Sequence, residues 1–334
     1  MGDRLLATST VEGMPSGHGA RRTYEVMIID SHVHLLPRRV QHDRTPFCRS
    51  DSAFGSIYSS SKAKLVSETD ILHYMDRYGI EKAIVFGFPW EDPGLVRENN
   101  DEIWSFHQKH PERIIPFAVL TSGQREPSLK EAARTLEGGF AGFGELAMYH
   151  HGWRLADFEA LSPSLQLAQM KRVPVIIHVN EPVGHHYPGK IPVDFRGLLR
   201  IIKAHAEVDF ILAHFGGGIF VYALMPEVAK ILSRTYLDTA ASPYLYDPKV
   251  FRVAADIMGV DKILFGSDYP LLPLSRYVKQ LEEAGIDGDM RERILGRNLA
   301  DLLKLGKDND TSGLVLGTDF GRSPSEAVEC REDS

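Results

Sequence analysis

The chain has 334 residues, of which 43% are hydrophobic and 25% charged, with a formal net charge of -7 and a pI of about 6.1. This is an ordinary globular composition, and its acidic balance argues against a nucleic-acid binder, which needs a basic face. The only two cysteines, Cys48 and Cys330, make no disulfide framework. The N-terminal MGDRLLATSTVEG lacks a signal's apolar run, and no stretch reaches the roughly 20 apolar residues of a membrane span, so a cytoplasmic protein is expected.

Residues 1–24 are polar and without periodicity, and read as a disordered leader. From residue 25 onward, short apolar runs alternate with amphipathic helical stretches. Strands are expected at 26–30 (VMIID), 82–87 (KAIVFG), 114–119, 140–145, 174–179 (PVIIHV), 209–213 (DFILA), 236–239 and 262–266 (KILFG). Between them, helices are expected at about 68–78, 95–110, 128–137, 157–171, 194–205, 222–234 and 248–258, with two more at 274–284 and 289–305. Eight strands, each followed by a helix and each apolar on successive residues, fit a closed parallel sheet better than an open doubly wound one. The fold class is therefore α/β, a single-domain (β/α)8 TIM barrel over residues 25–305, with a polar tail at 306–334 expected to be disordered. Between the first strand and the first helix lies a long segment, 36–67, carrying Phe47, Phe54 and Tyr58. It is either a cover over the active site or a surface insertion.

Residues suited to metal chemistry fall at the strand ends. His32 and His34, in DSHVH, are two apart on an extended chain and point the same way, so both imidazoles can reach one ion. His178 stands in apolar surroundings near the end of the fifth strand, where a buried imidazole needs a partner. Glu145, His214 and Asp268 close the fourth, sixth and eighth strands. In such barrels, residues at these ends gather into one site. Six nitrogen and oxygen ligands suit a divalent ion, zinc first and manganese, iron or nickel after it. Around them, His185, His186 and Tyr187 in the loop NEPVGHHYPGK, His150 after the fourth strand and Trp90 after the second are candidate substrate contacts, as is Tyr149. Their donors suit a small, anionic or oxygen-rich substrate. The glycines 216–218 read as a tight turn rather than a phosphate cradle, and Cys48 has no organised partner.

The motifs DSHVH, IIHV, LAHFGG and GSDYP, in this order, resemble the amidohydrolase superfamily, in particular its amidohydrolase-related branch. The closing ERILGRNLADLLKL, with Asn298, resembles that branch too, and the likeness spans about residues 28–305. It implies that His32, His34 and His178 bind metal and that Asp268 both binds metal and shuttles a proton. His214 is implied to be either a ligand of a second metal or a substrate-polarising group. Glu145 resembles the glutamate with which TatD-type relatives bridge two metals, whereas many one-metal decarboxylases of the branch lack an acid there. The expected function is hydrolysis of an amide, lactone or ester C–N or C–O bond with one or two metals. The alternatives are non-oxidative decarboxylation of an aromatic or unsaturated acid, and a non-catalytic metal-binding barrel. A homo-oligomer is compatible with the sequence.

Overall fold

The computed structural model describes residues 26–121 and 123–305, so the expected leader and tail lie outside the described residues. In chain order the elements are β1 (Ile29–His34), α1 (Arg38–His42), α2 (Thr45–Ser50), α3 (Ser52–Tyr58), α4 (Glu68–Tyr78), β2 (Lys82–Phe86), α5 (Pro93–Lys109), β3 (Ile114–Ala118), α6 (Arg125–Glu137) and β4 (Gly142–Leu146). They continue with α7 (Leu155–Lys171), β5 (Val175–Ile177), α8 (Phe195–Ala204), β6 (Phe210–Leu212), α9 (Pro226–Ile231), β7 (Thr235–Asp238), α10 (Ser242–Leu245), α11 (Val250–Met258), β8 (Ile263–Leu264), α12 (Leu274–Glu283), α13 (Gly288–Glu292) and α14 (Asn298–Leu302).

The strands pair in sequence order, β1 to β8, and every ladder is parallel. The sheet closes on itself where Ser31 N donates to Phe265 O at 2.8 Å and His34 N to Tyr269 O at 2.9 Å. This is the (β/α)8 barrel expected from the sequence. Side chains alternate between its two faces. Ile84 and Phe86 of β2, Ile115 and Phe117 of β3, Ile176 of β5, Ile211 of β6 and Leu264 of β8 fill the interior with Ile29. Their neighbours Ala83, Val85, Ile114, Ala118, Phe210 and Leu212 pack outward against the helices. Leu299 and Ala300 of α14 close the interior cluster at one end, and Val40, Phe54, Phe88 and Trp90 join it at the other.

Four elements differ from the sequence expectation. The first strand runs over Ile29–His34 rather than 26–30, which puts both histidines inside it. Polar DSHVH is a poor strand former by composition. Here the buried Asp30 carboxylate accepts from His32 N (3.0 Å) and Ser267 N (2.9 Å), which ties the irregular strand to the chain after β8. The helix expected at 222–234 is only α9, preceded by 3-10 turns over His214–Leu224. Met225 before Pro226 is held extended, which breaks the helix there. The segment 36–67 is neither floppy nor structureless: it folds into α1, α2 and α3, with Val40 and Phe54 buried and Asp51 capping α3 through Phe54 N. The helix expected at 289–305 is α13, a π turn over Arg293–Arg297, and α14.

The glycine run after β6 is a tight turn, with Gly216, Gly217 and Gly218 all at positive φ. At Gly217 a Cβ would lie 2.2 Å from Asn180 O, whereas at Gly218 it would meet nothing within 4 Å. Gly218→Ala should therefore cost only the left-handed backbone strain, about 1–2 kcal/mol. Gly217→Ala should cost at least twice that, because the Asn180 main chain must also move. Urea unfolding of the two variants checks the ordering.

Candidate metal centre

Two groups of three side chains meet in the barrel mouth. The first is His32 and His34 from β1 with Asp268 from the end of β8. His32 Nε2 and His34 Nε2 are 3.2 Å apart, Asp268 Oδ1 is 3.2 Å from His34 Nε2, and it is 3.8 Å from His32 Nε2. The second group is Glu145 from β4, His178 following β5 and His214 following β6. There Glu145 Oε1 lies 2.8 Å from His178 Nδ1 and 3.6 Å from His214 Nε2, and the two ring nitrogens are 3.2 Å apart. The groups touch, since Glu145 Oε1 is 3.8 Å from His32 Nε2.

These distances fit a metal. Two ligand atoms each about 2.1 Å from a common ion, at octahedral to tetrahedral angles, stand roughly 3.0–3.4 Å apart. The ring orientations fit as well. His32 Nδ1 donates to Asp238 Oδ2 (2.9 Å), and His214 Nδ1 to Ala240 O (2.9 Å). His178 Nε2 donates to Asn180 Oδ1 (2.8 Å) and Gly189 O (3.1 Å). In a neutral imidazole the other nitrogen is then a lone pair, and in all three rings it faces the centre.

Asp238, at the end of β7, had no role in the sequence reading, yet it organises the site. Its Oδ2 takes the proton of His32, and its Oδ1 accepts from His214 N and Ala240 N, both at 3.0 Å. A carboxylate behind a ligating histidine fixes the ring and raises its basicity. The signal available in the sequence was position, an acid at the tip of a strand, which TYLDT shares with the other strand ends. His214 (φ 57) and Asp268 (φ 56) occupy the left-handed region that non-glycine residues avoid. Such strain is characteristic of functional positions.

Buried charge dominates the electrostatics. Burial would raise Glu145, but His178 and His32 beside it hold its carboxyl well below the usual range. Asp268 is likewise driven down, against the effect of burial, by its hydrogen bond to His34 and the charge of His32. Burial would lower His32, but Asp238 and Glu145 push it up to about 10. His214, held by Glu145 against the same burial effect, rises to about 9. Without a cation, then, these carboxylates are neutralised by protons on imidazoles.

The remaining candidates separate. Tyr149 belongs to the centre: its hydroxyl donates to Glu145 Oε2 at 3.1 Å and lies 3.3 Å from His178 Nδ1. Tyr187 is held by Asn180 (3.0 Å) and Glu181 (3.2 Å), in a chain that leads back to His178. His150 meets Ser52 Oγ at 3.2 Å and Glu91 at 3.2 Å, against the start of α3. His185 and His186 are exposed on the loop after β5. Trp90 is fully buried, with its ring nitrogen donating to Asn99 and its ring packed against Phe54 under the cover. Cys48 is partly buried, and burial raises its thiol.

A family model described as an amidohydrolase matches residues 29–305. No curated protein sequence matches the chain. Among solved structures, a 5-carboxyvanillate decarboxylase from Novosphingobium aromaticivorans, with manganese and 4-hydroxy-3-methoxy-5-nitrobenzoic acid, is 18% identical, with a TM-score of 0.66 over 86% of this chain and 98% of that one. A dihydroxybenzoic acid decarboxylase from Polaromonas, with manganese and 2-nitroresorcinol, is 18% identical, with a TM-score of 0.63 over 85% and 98%. A probable 2-pyrone-4,6-dicarboxylic acid hydrolase from Acinetobacter baumannii, with citric acid, is 17% identical, with a TM-score of 0.56 over 83% and 99%. At these identities the likeness is one of fold. With the family match extending over the whole barrel and the six ligand-type side chains gathered in its mouth, the chain belongs to the amidohydrolase family and is an enzyme.

Proposed function

We propose that the protein is a metal-dependent hydrolase that cleaves a C–N or C–O bond, in an amide, lactone or ester, of a small molecule. The observation that carries this reading is Glu145, whose Oε1 stands within 3.8 Å of ring nitrogens from both groups of ligands. A carboxylate so placed suits two ions, His32, His34 and Asp268 holding one and His178 and His214 the other, with Glu145 between them. Four imidazoles favour zinc, with manganese next. Bound there, a divalent cation supplies Lewis acidity, bringing the pKa of water towards about 7.

The chain's own groups do the rest. Asp268, kept ionised by His34 and His32, takes a proton from the attacking water and returns it to the leaving nitrogen or oxygen. Asp238 holds His32 in the tautomer whose Nε2 faces inward, and the Ala240 carbonyl does the same for His214. The near-complete burial of His32, Glu145 and His214 keeps bulk water away and strengthens each interaction.

A second reading, non-oxidative decarboxylation of an aromatic acid on a single ion, is favoured by the decarboxylases among the structural relatives and by the aromatic residues Tyr58, Phe88 and Tyr149 beside the centre. Elemental analysis with a product assay separates the two. Two metal equivalents per chain and turnover of an amide, lactone or ester support hydrolysis. One equivalent with carbon dioxide release from a hydroxybenzoate supports the second reading. In the first case Glu145→Gln should lower the metal content towards one equivalent, and Asp268→Asn should lower kcat by roughly 10²–10⁴-fold while the metal is retained.

Metal uptake should also release protons. His32 at about 10 and His214 at about 9 are protonated at neutral pH in the metal-free protein, and both must lose a proton to coordinate. Their folded-state values are raised, so both protons are held below pH 9, one is lost between about 9 and 10, and the competition fades above that. Apparent metal affinity should therefore climb steeply between pH 6 and 9, less steeply up to about 10, and level off beyond. Calorimetry in buffers of different ionisation enthalpy should count about two protons released per chain at pH 7; an uptake independent of pH contradicts this charge balance.

A further inference from the structure

The cover formed by α1 to α3 brings a side chain to the metal centre that no motif points to. Tyr58, at the end of α3, stacks on Phe54 at 4.7 Å between ring centroids and meets the edge of Phe88 at 6.1 Å. Phe88 in turn stacks flat on Tyr149 at 5.3 Å, and Tyr149 is bonded to Glu145. The helix is fixed over the loop after β5: a Cβ on Gly189 would lie 3.8 Å from Ile57 and 4.0 Å from Tyr149. Arg44 anchors its end by donating to the carbonyls of Tyr58 (3.2 Å) and Ala63 (2.6 Å). At its start, Ser52 meets His150.

The two phenols differ in what they do. The Tyr149 hydroxyl is committed to Glu145, whereas the hydroxyl of Tyr58, a partly buried residue, makes no hydrogen bond to a described residue. Burial raises the Tyr58 phenol, and the Asp268 and Glu145 carboxylates raise it further, which places it within their field and keeps it protonated at any working pH. A protonated phenol held in an aromatic stack and engaged by no described residue can donate to a molecule that enters the mouth. The carboxylates are engaged by imidazoles, so the acceptor comes from outside.

We propose that Tyr58 is a substrate-binding residue supplied by the insertion, donating a hydrogen bond to an anionic oxygen, such as a carboxylate, of a molecule seated beside the metal ligands. This rests on the reading of the centre as a metal site and adds to it the class of group recognised. Divalent charge in the mouth attracts an anion, and the hydroxyl fixes its orientation. Among the described mouth residues, His34 and Asp268 retain side-chain exposure of 12% and 16%, against 0–6% for the other four ligands, so the approach lies on their side.

The test is calorimetric titration of the manganese-loaded full chain with acetate, benzoate and malonate. At least one should bind the native protein, and Tyr58→Phe should weaken that binding roughly 10-fold or more, while metal content and Tm stay unchanged. Tyr149→Phe should instead alter metal affinity, since its hydroxyl serves Glu145. Equal carboxylate binding by Tyr58→Phe, no binding of any of the three by the loaded native protein, or loss of metal and Tm in the variant each overturns the assignment. A chain that takes up no metal defeats the hydrolase reading before a carboxylate is added, so the two failures are distinct.

Discussion

Three carboxylates, the buried Glu145 and Asp238 and the mostly buried Asp268, stand in the mouth of this barrel within reach of His32. Removing a carboxylate from water is costly unless positive charge and hydrogen bonds meet it. The protein supplies hydrogen bonds to Asp238 from two main-chain amides, but not to the inward oxygens of Glu145 and Asp268, which face ring nitrogens instead. The arrangement is stable only with cationic charge at its centre, as protons or as metal. The raised His32 and His214 and the depressed Glu145 and Asp268 are two sides of that one requirement.

The barrel exists to satisfy it. Parallel strands end on one side of the sheet, so residues distant in sequence arrive together without any long loop having to fold back. The apolar alternation of Ile84, Phe86, Ile115 and Phe117 fills the interior beneath and gives the ligands a rigid floor. Asp238 then joins β1, β6 and β7 in a single contact group, linking His32 to the main chain of His214. Backbone strain at His214 and Asp268 is tolerated because that group and the turns around it over-determine their positions.

Much of this was legible in the sequence because the signals were periodic or paired. Buried parallel strands leave apolar runs, and ligands sit at the ends of those runs, so the barrel and the six ligand-type residues followed from pattern and spacing. The first strand was misplaced because Asp30, Ser31 and His32 look like a loop until Ser267, far along the chain, is known to pair with Asp30. Asp238 was passed over because a lone acid in TYLDT carries no local mark of the ring it faces. Trp90 follows a strand, which in the sequence marks a candidate substrate contact; its full burial is not legible there because it depends on Phe54, which the insertion delivers. Tyr58 could not be singled out, since the fold of segment 36–67 depends on contacts with Phe88 and the loop after β5 rather than on its own pattern.

One chain of hydrogen bonds couples parts of the molecule that are usually thought of separately. From His178 it runs through Asn180 to Tyr187 and Glu181, on the loop after β5. That loop is the natural place for such a barrel to change what it accepts. Here, remodelling it would also release the ring nitrogen that orients a metal ligand. Diversification along this edge is thereby constrained: a new loop must bring its own anchor for Asn180, or the altered selectivity comes with a loosened ion.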